Sequence, residues 1–169
     1  MSGVPKDDPA DLAADMRQLY FGKYRGVVTD VDAATMRVKA KVGRIAEVDL
    51  GWATPCVPYA GPKVGFCMLP ETGSGVWIEF EGGDPSYPIW VGCYWRDGEV
   101  PPDAAKDVKA VFTSAGTLAL DDAGKGLSLE DANGNRLLVD GSGVLAEGSA
   151  GKVLVAATVS INDGAVEVS

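Results

Sequence analysis

The sequence predicts an all-β protein in two parts, a small closed barrel followed by a ribbon of short strands that is too thin to stand alone. Three observations predict this. Between Tyr20 and Trp95 the chain alternates apolar and polar residues over short runs, the period of half-buried strands. After Phe112 it carries apolar pairs at i, i+2 separated by regular turn signals. Every proline lies at or before Pro102 and every aromatic at or before Phe112. A single core would draw large rings from its whole length, so a break that sharp marks a boundary.

Residues 1–19 read as an N-terminal arm. Asp8 and Pro9 precede Leu12, Met16 and Leu19, a cap and first-turn proline ahead of apolar residues at helical spacing, which predicts a short helix. Residues 20–97 read as the barrel. Its first strand begins around Tyr24, and Ala33-Ala34 turns the chain. Met36, Val38, Ala40 and Val42 then alternate with Arg37, Lys39 and Lys41, a strand with one wet face. Val76, Ile78 and Phe80 alternate with Trp77, Glu79 and Glu81, and Ile89 to Trp95 forms the return strand. Gly82 to Pro88 joins these two, glycine supplying positive φ and proline blocking strand continuation. Five or so strands without an intervening helix suggest a closed barrel. So small an interior should be filled by the aromatic rings gathered between Phe80 and Trp95.

Residues 98–112, rich in Pro, Ala and Asp, read as a linker. In the tail, residues 113–169, the apolar pairs are Leu118/Leu120, Leu127/Leu129, Val153/Val155, Val159/Ile161 and Val166/Val168. Asn133-Gly134 and Asp163-Gly164 are hairpin signals. Strands this short and free of bulky residues bury too little area in isolation. Copies of the same ribbon from sister chains are the simplest cover, which predicts a self-associating tail.

Composition removes several function classes. Fifteen basic against 24 acidic residues give a net charge of −9, which repels phosphate backbones and argues against nucleic acid as a partner. There is no histidine, which removes Ser-His-Asp and Cys-His catalysis and the usual zinc sites. Cys56, Cys67 and Cys93 form no C-x-x-C pair and read as reduced, small apolar residues. No apolar run approaches bilayer-spanning length, and the opening MSGVPKDDPADLAADM lacks a signal peptide's basic flank and apolar stretch, so synthesis in the cytoplasm is expected. Asp131-Ala-Asn-Gly-Asn135 begins like a calcium loop, but its sixth position is Arg136 and its twelfth Ser142, so it reads as a hairpin turn. Glu79 and Glu81, two apart on a strand, read as a solvated or subunit-facing edge rather than an acid/base pair. Gly73-Ser-Gly75 precedes a strand, which does not suit a phosphate cradle. No catalytic, cofactor or metal site is expected.

The run GWATPCVPYAGPKVGFCMLPETGSGVWIEFEGGDPSYPIWVGCYW, Gly51 to Trp95, resembles the baseplate assembly protein V family, the OB-fold domain of the central spike of contractile phage tails. That domain is shared with the valine-glycine repeat spike proteins of type VI secretion. Tyr20-Phe-Gly-Lys-Tyr-Arg-Gly-Val-Val resembles the family's first strand. The resemblance implies an OB barrel followed by an intertwined trimeric β-helix needle, although Val139-Asp-Gly141 is the one good match to the family's repeat. It also implies a structural, non-enzymatic spike in the baseplate of a phage tail or injection system, meeting a target membrane only on puncture. The implied partners are two sister chains, a baseplate hub protein and a small conical tip protein of the PAAR type. No lysozyme insertion separates barrel from tail, and DVDAATM between the first two strands is shorter than the family pattern. Ile161, Ala165, Val166 and Val168 are expected to form the platform for the conical tip protein. The alternative reading is an acidic OB-fold scaffold or carrier module that binds a partner protein or effector.

Overall fold

The computed structural model describes residues 19–45, 50–156, 159–161 and 166–168. The chain forms two compact units, Met1–Glu99 and Val100–Ser169. The predicted N-terminal helix falls on residues 1–18 and lies outside the described residues.

The first unit is built from β1 (Tyr24–Asp32), β2 (Arg37–Val42), β3 (Thr54–Pro55), β4 (Ala60–Gly61), β5 (Val64–Gly65), β6 (Gly75–Phe80) and β7 (Pro88–Tyr94). Five of these make one sheet in the order β2-β1-β6-β7-β3, with β3 parallel to β7 and the other pairs antiparallel. Ala53, just before β3, exchanges backbone hydrogen bonds with Val38 of β2 at 2.8 and 3.3 Å. That bridge returns the sheet's last strand to its first and closes the ring. A register shift between Val28 and Asp30 bends β1, letting one strand serve two neighbours around a tight barrel. The turn from β1 to β2 is fixed by Asp32, whose Oδ1 accepts the Ala34 amide at 3.0 Å and whose Oδ2 accepts the Thr35 hydroxyl.

Alternation sorts the strands as expected. Val38 and Val42 of β2, and Val76, Ile78 and Phe80 of β6, face inward and are buried, while Arg37, Lys41, Trp77 and Glu79 do not. The interior differs from the expected stack of rings. It is mainly aliphatic, with Phe80 and Trp90 as its only buried aromatics among the described residues. Trp90 satisfies its indole N–H on the Met36 carbonyl at 3.2 Å, and Phe80 packs against Tyr20 and Tyr24 at 6.0 and 5.6 Å. Apart from Tyr20 and Tyr24, which pack against the core's edge, rings such as Trp77 lie outward on the strands or, like Tyr87 and Trp95 at 60% and 65% exposure, beyond them. Alternation, not ring size, assigned them. Gly75 leaves no room for a side chain beside β7, since a Cβ there would sit 2.7 Å from the Tyr94 carbonyl oxygen. Between β3 and β6 the chain detours through the β4–β5 hairpin, which leaves Tyr59, Val64, Phe66 and Met68 exposed.

The second unit is one antiparallel meander: β8 (Val108–Thr113), β9 (Gly116–Asp121), β10 (Gly126–Asp131), β11 (Arg136–Asp140), β12 (Gly143–Gly148), β13 (Gly151–Val155), β14 (Val159–Ile161) and β15 (Val166–Val168). Each strand pairs with its sequence neighbour. The linker read over 98–112 is shorter than expected, because β8 begins at Val108 and pairs with β9 from Val108↔Asp121 to Thr113↔Gly116. The Pro- and Ala-rich stretch beside it hid a run, VKAVFT, of good strand formers. None of the ten buried core residues lies in this unit.

Candidate interaction surfaces

The register of the meander decides which side chains share a face, because residues directly opposite one another project to the same side. Val111, Leu118, Leu129, Leu137, Ala146 and Val153 stand opposite one another from β8 to β13. Two positions along, Leu120, Leu127, Val139, Val144 and Val155 form a second row on the same face. One face thus carries two parallel apolar rows. They are left in water, with Leu120 at 52%, Leu129 at 51% and Leu137 at 50% exposure. A contiguous apolar surface of this kind is what an interaction face looks like.

The opposite face is mixed. Glu130, Arg136, Glu147 and Lys152 are register neighbours of alternating sign, and Arg136 Nε donates to Glu147 Oε2 at 2.8 Å. Beside them run Ala119, Ser128, Leu138, Leu145 and Leu154. Sequence reading found the i, i+2 pairs of β9, β10 and β13 on the first face but not Leu137/Val139 of β11 or Val144/Ala146 of β12. It missed this leucine row, whose members lie on three different strands and become neighbours only through the register.

The expected tip residues fall at the far edge of the meander. Ile161 stands opposite Val153 and Val166, and Val168 stands opposite Val159, by backbone pairing. Ala165 lies outside the described residues. Pairing brings Ile161 and Val166 together across the β14–β15 step.

The turns are fixed by aspartates at strand ends. Asp131 Oδ1 accepts the amides of Asn133 and Asn135 at 2.8 and 2.9 Å, and its Oδ2 accepts the Asn135 side-chain amide at 2.8 Å. The Asn135 side chain, then its backbone amide, hold the Asp131 carboxyl down at about 2. The calcium-like opening of this segment is a hairpin turn, as read. Asp121 and Asp140 cap their turns in the same way.

On the barrel, Glu79 is ion-paired with Lys23, while Glu81 leaves the strand for a 3-10 turn over Glu81–Gly83. The pair therefore does not share a strand face as the alternation implied, because β6 ends at Phe80. Ser74 precedes β6 and lies in a turn, its amide donating to the Glu71 carbonyl at 3.0 Å. The three cysteines are free and exposed. Among the described residues no three His, Cys, Asp or Glu side chains gather as a metal-binding group, and no helix is long and apolar enough to cross a membrane.

A feature the sequence did not announce lies on the outer face of β1, β2 and β6. Arg25 stands opposite Trp77 in the β1–β6 register, and its guanidinium sits 5.3 Å from the Trp77 ring and 5.2 Å from the Tyr94 ring. Lys39 lies 5.3 Å from the Trp52 ring. The two Arg25 contacts join residues on three different strands, more than fifty positions apart in sequence, which no local pattern reveals.

Residues 24–95 match the model of the type VI secretion system/phage-baseplate injector OB domain. No curated protein matches the chain. The matched span begins at the first residue of β1 and ends one residue beyond β7, so it covers the closed ring and nothing of the meander. The barrel, though not the rest of the chain, is thus similar to the type VI secretion system/phage-baseplate injector OB domain.

Proposed function

We propose that the protein is the central spike of a contractile phage tail or injection system: a homotrimer whose barrels seat on a baseplate hub protein and whose meanders join into the needle. The observation that carries this reading is the pair of exposed apolar rows in a unit with no buried side chain among its described residues. A one-layer sheet gains stability only by covering such a face. Three copies of one ribbon, each turning its two rows toward a common axis, do so with no other component. The role is mechanical rather than catalytic, with sheath contraction driving a narrow tip into the target envelope. The family match supports the baseplate role, and the exposed rows support self-association.

Light scattering on the full chain tests it. The mass of three 17.5 kDa chains should persist at micromolar concentration. A well-folded monomer at that concentration would sink the trimeric spike, and a stable dimer would favour the scaffold reading.

A further inference from the structure

The net charge of −9 conceals a local reversal. Residues 19–45 contain Lys23, Arg25, Arg37, Lys39, Lys41 and Arg44 but only Asp30 and Asp32 as acids. Strand alternation sends most of these cations outward. Val27 and Lys41 are opposite one another on β1 and β2, two positions along from the Arg25–Trp77 pair, so Arg25, Val27, Lys41 and Trp77 share the outer face. Lys39 follows further along β2, against Trp52.

Among the described residues three acids lie near this face. Glu79 is taken by Lys23, and Asp32 is spent on its own turn, accepting Ala34 and Thr35. Asp30 stands opposite Lys39 and accepts the Val31 amide at 2.9 Å. Among the described residues Arg25 and Lys41 have no carboxylate in ion-pair reach. Beside Arg25 opens a cavity of about 630 Å³ lined by Phe21, Lys23, Arg25 and Trp77.

Trp77 and Tyr94 lie 5.1 Å apart, centroid to centroid, and the Arg25 guanidinium sits over both; a guanidinium held against rings has lost rotamer freedom while keeping its N–H fork available. Such a group is pre-organised to receive a carboxylate in two parallel hydrogen bonds, with the rings beside it offering apolar contact.

We propose that the outer face of β1, β2 and β6 is the docking surface for an acidic protein segment, with Arg25 and Lys41 receiving carboxylates and Trp52 and Trp77 packing against its apolar parts. Charge complementarity selects this occupant. The chain as a whole repels polyanions, so only a short acidic stretch that stays over the local positive field is favoured. An extended nucleic acid would run off it onto negative surface. The proposal stands whether or not the meander trimerises.

The test titrates the full-length protein with a short poly-L-glutamate of about six residues, short enough to stay over the local positive field, following tryptophan fluorescence, alongside an oligothymidylate of equal length. At about 25 mM salt, where screening is weak, poly-L-glutamate should bind and perturb the fluorescence. Raising salt to about 200 mM should weaken binding roughly tenfold. The triple variant Arg25→Glu/Lys39→Glu/Lys41→Glu should bind at least about tenfold more weakly. Lys41→Glu alone, with its unfolding midpoint unchanged, should give a several-fold loss and guards against misfolding of the triple variant. Absence of binding at low salt, or binding that Lys41→Glu leaves untouched, would overturn the proposal. Tighter binding of oligothymidylate than of poly-L-glutamate would overturn it too, in favour of a nucleic-acid surface.

Discussion

Asp131 shows how much of the meander is written in single residues. Its carboxylate accepts hydrogen bonds from Asn133 and Asn135 and is held at about 2, below the ordinary 3.8. A carboxyl depressed in the folded state contributes stability that is fully present above its unfolded pKa and lost as pH falls through its folded value. The β10–β11 turn should therefore be unchanged from neutral pH down to about 4, then loosen between about 4 and 2. Carboxyl-carbon NMR of the full chain checks this: Asp131 should titrate with a midpoint near 2, and a midpoint at or above 3.8 would show that the turn does not form in solution. Asp140, lowered chiefly by the Ser142 hydroxyl, and Asp32, lowered chiefly by the Thr35 hydroxyl, should follow in the same direction. These turns were legible in the sequence because their chemistry is local, with an aspartate and its acceptor geometry contained within four residues. The contact of Arg25 with Trp77 and Tyr94 was not legible, because it exists only once β1, β6 and β7 are in register.

At the level of strands, legibility followed length. β6 and β10 declare themselves by alternation, whereas β3, β4 and β5 are two residues each and have no period to read. β8 was taken for linker because proline and alanine crowd its approach. The apolar rows were half legible: the i, i+2 pairs gave the faces of β9, β10 and β13, but only the register added β11 and β12 and aligned them all into two continuous stripes. That alignment leads to a prediction about the element rather than the fold. Leu129 and Leu137 are register partners in the middle of one stripe and half exposed, so Leu129→Asp and Leu137→Asp place a charge where an isolated chain tolerates it. In an assembly that covers the stripe, each buried unpaired carboxylate costs several kcal/mol, on the order of 3–5. Light scattering of either variant should show dissociation toward the monomer, while the barrel's Trp90 environment, judged by near-ultraviolet circular dichroism, stays native. An unchanged mass would mean that this face does not meet its copies.

Across the whole molecule the two units divide the work by how they bury surface. The barrel closes its ten-residue core within one chain, which explains why a family signature can be confined to residues 24–95. The meander has register, turns and apolar rows but no buried side chain among its described residues, which is why the proposed spike assigns its cover to partners. That dependence extends to its last described strand. β15 pairs with β14 alone among the described strands, and Ile161↔Val166 and Val159↔Val168 are its apolar register pairs. A strand with one unpaired edge and apolar pairs at its only seam is a surface that proteins cover. We propose that Ile161, Ala165, Val166 and Val168 provide the platform on which a separate conical tip protein seats. By backbone register the two apolar rows continue through Ile161 and Val166 and through Val159 and Val168, but their greater part lies from β8 to β13, so removing residues 162–169 should leave assembly intact. The expected result for the truncated chain is an unchanged trimer mass by light scattering together with loss of the tip protein in a pull-down with purified components. Retention of the tip protein by the truncated trimer would place its seat elsewhere. Loss of the trimer itself would show that β15 closes the needle instead of presenting a surface.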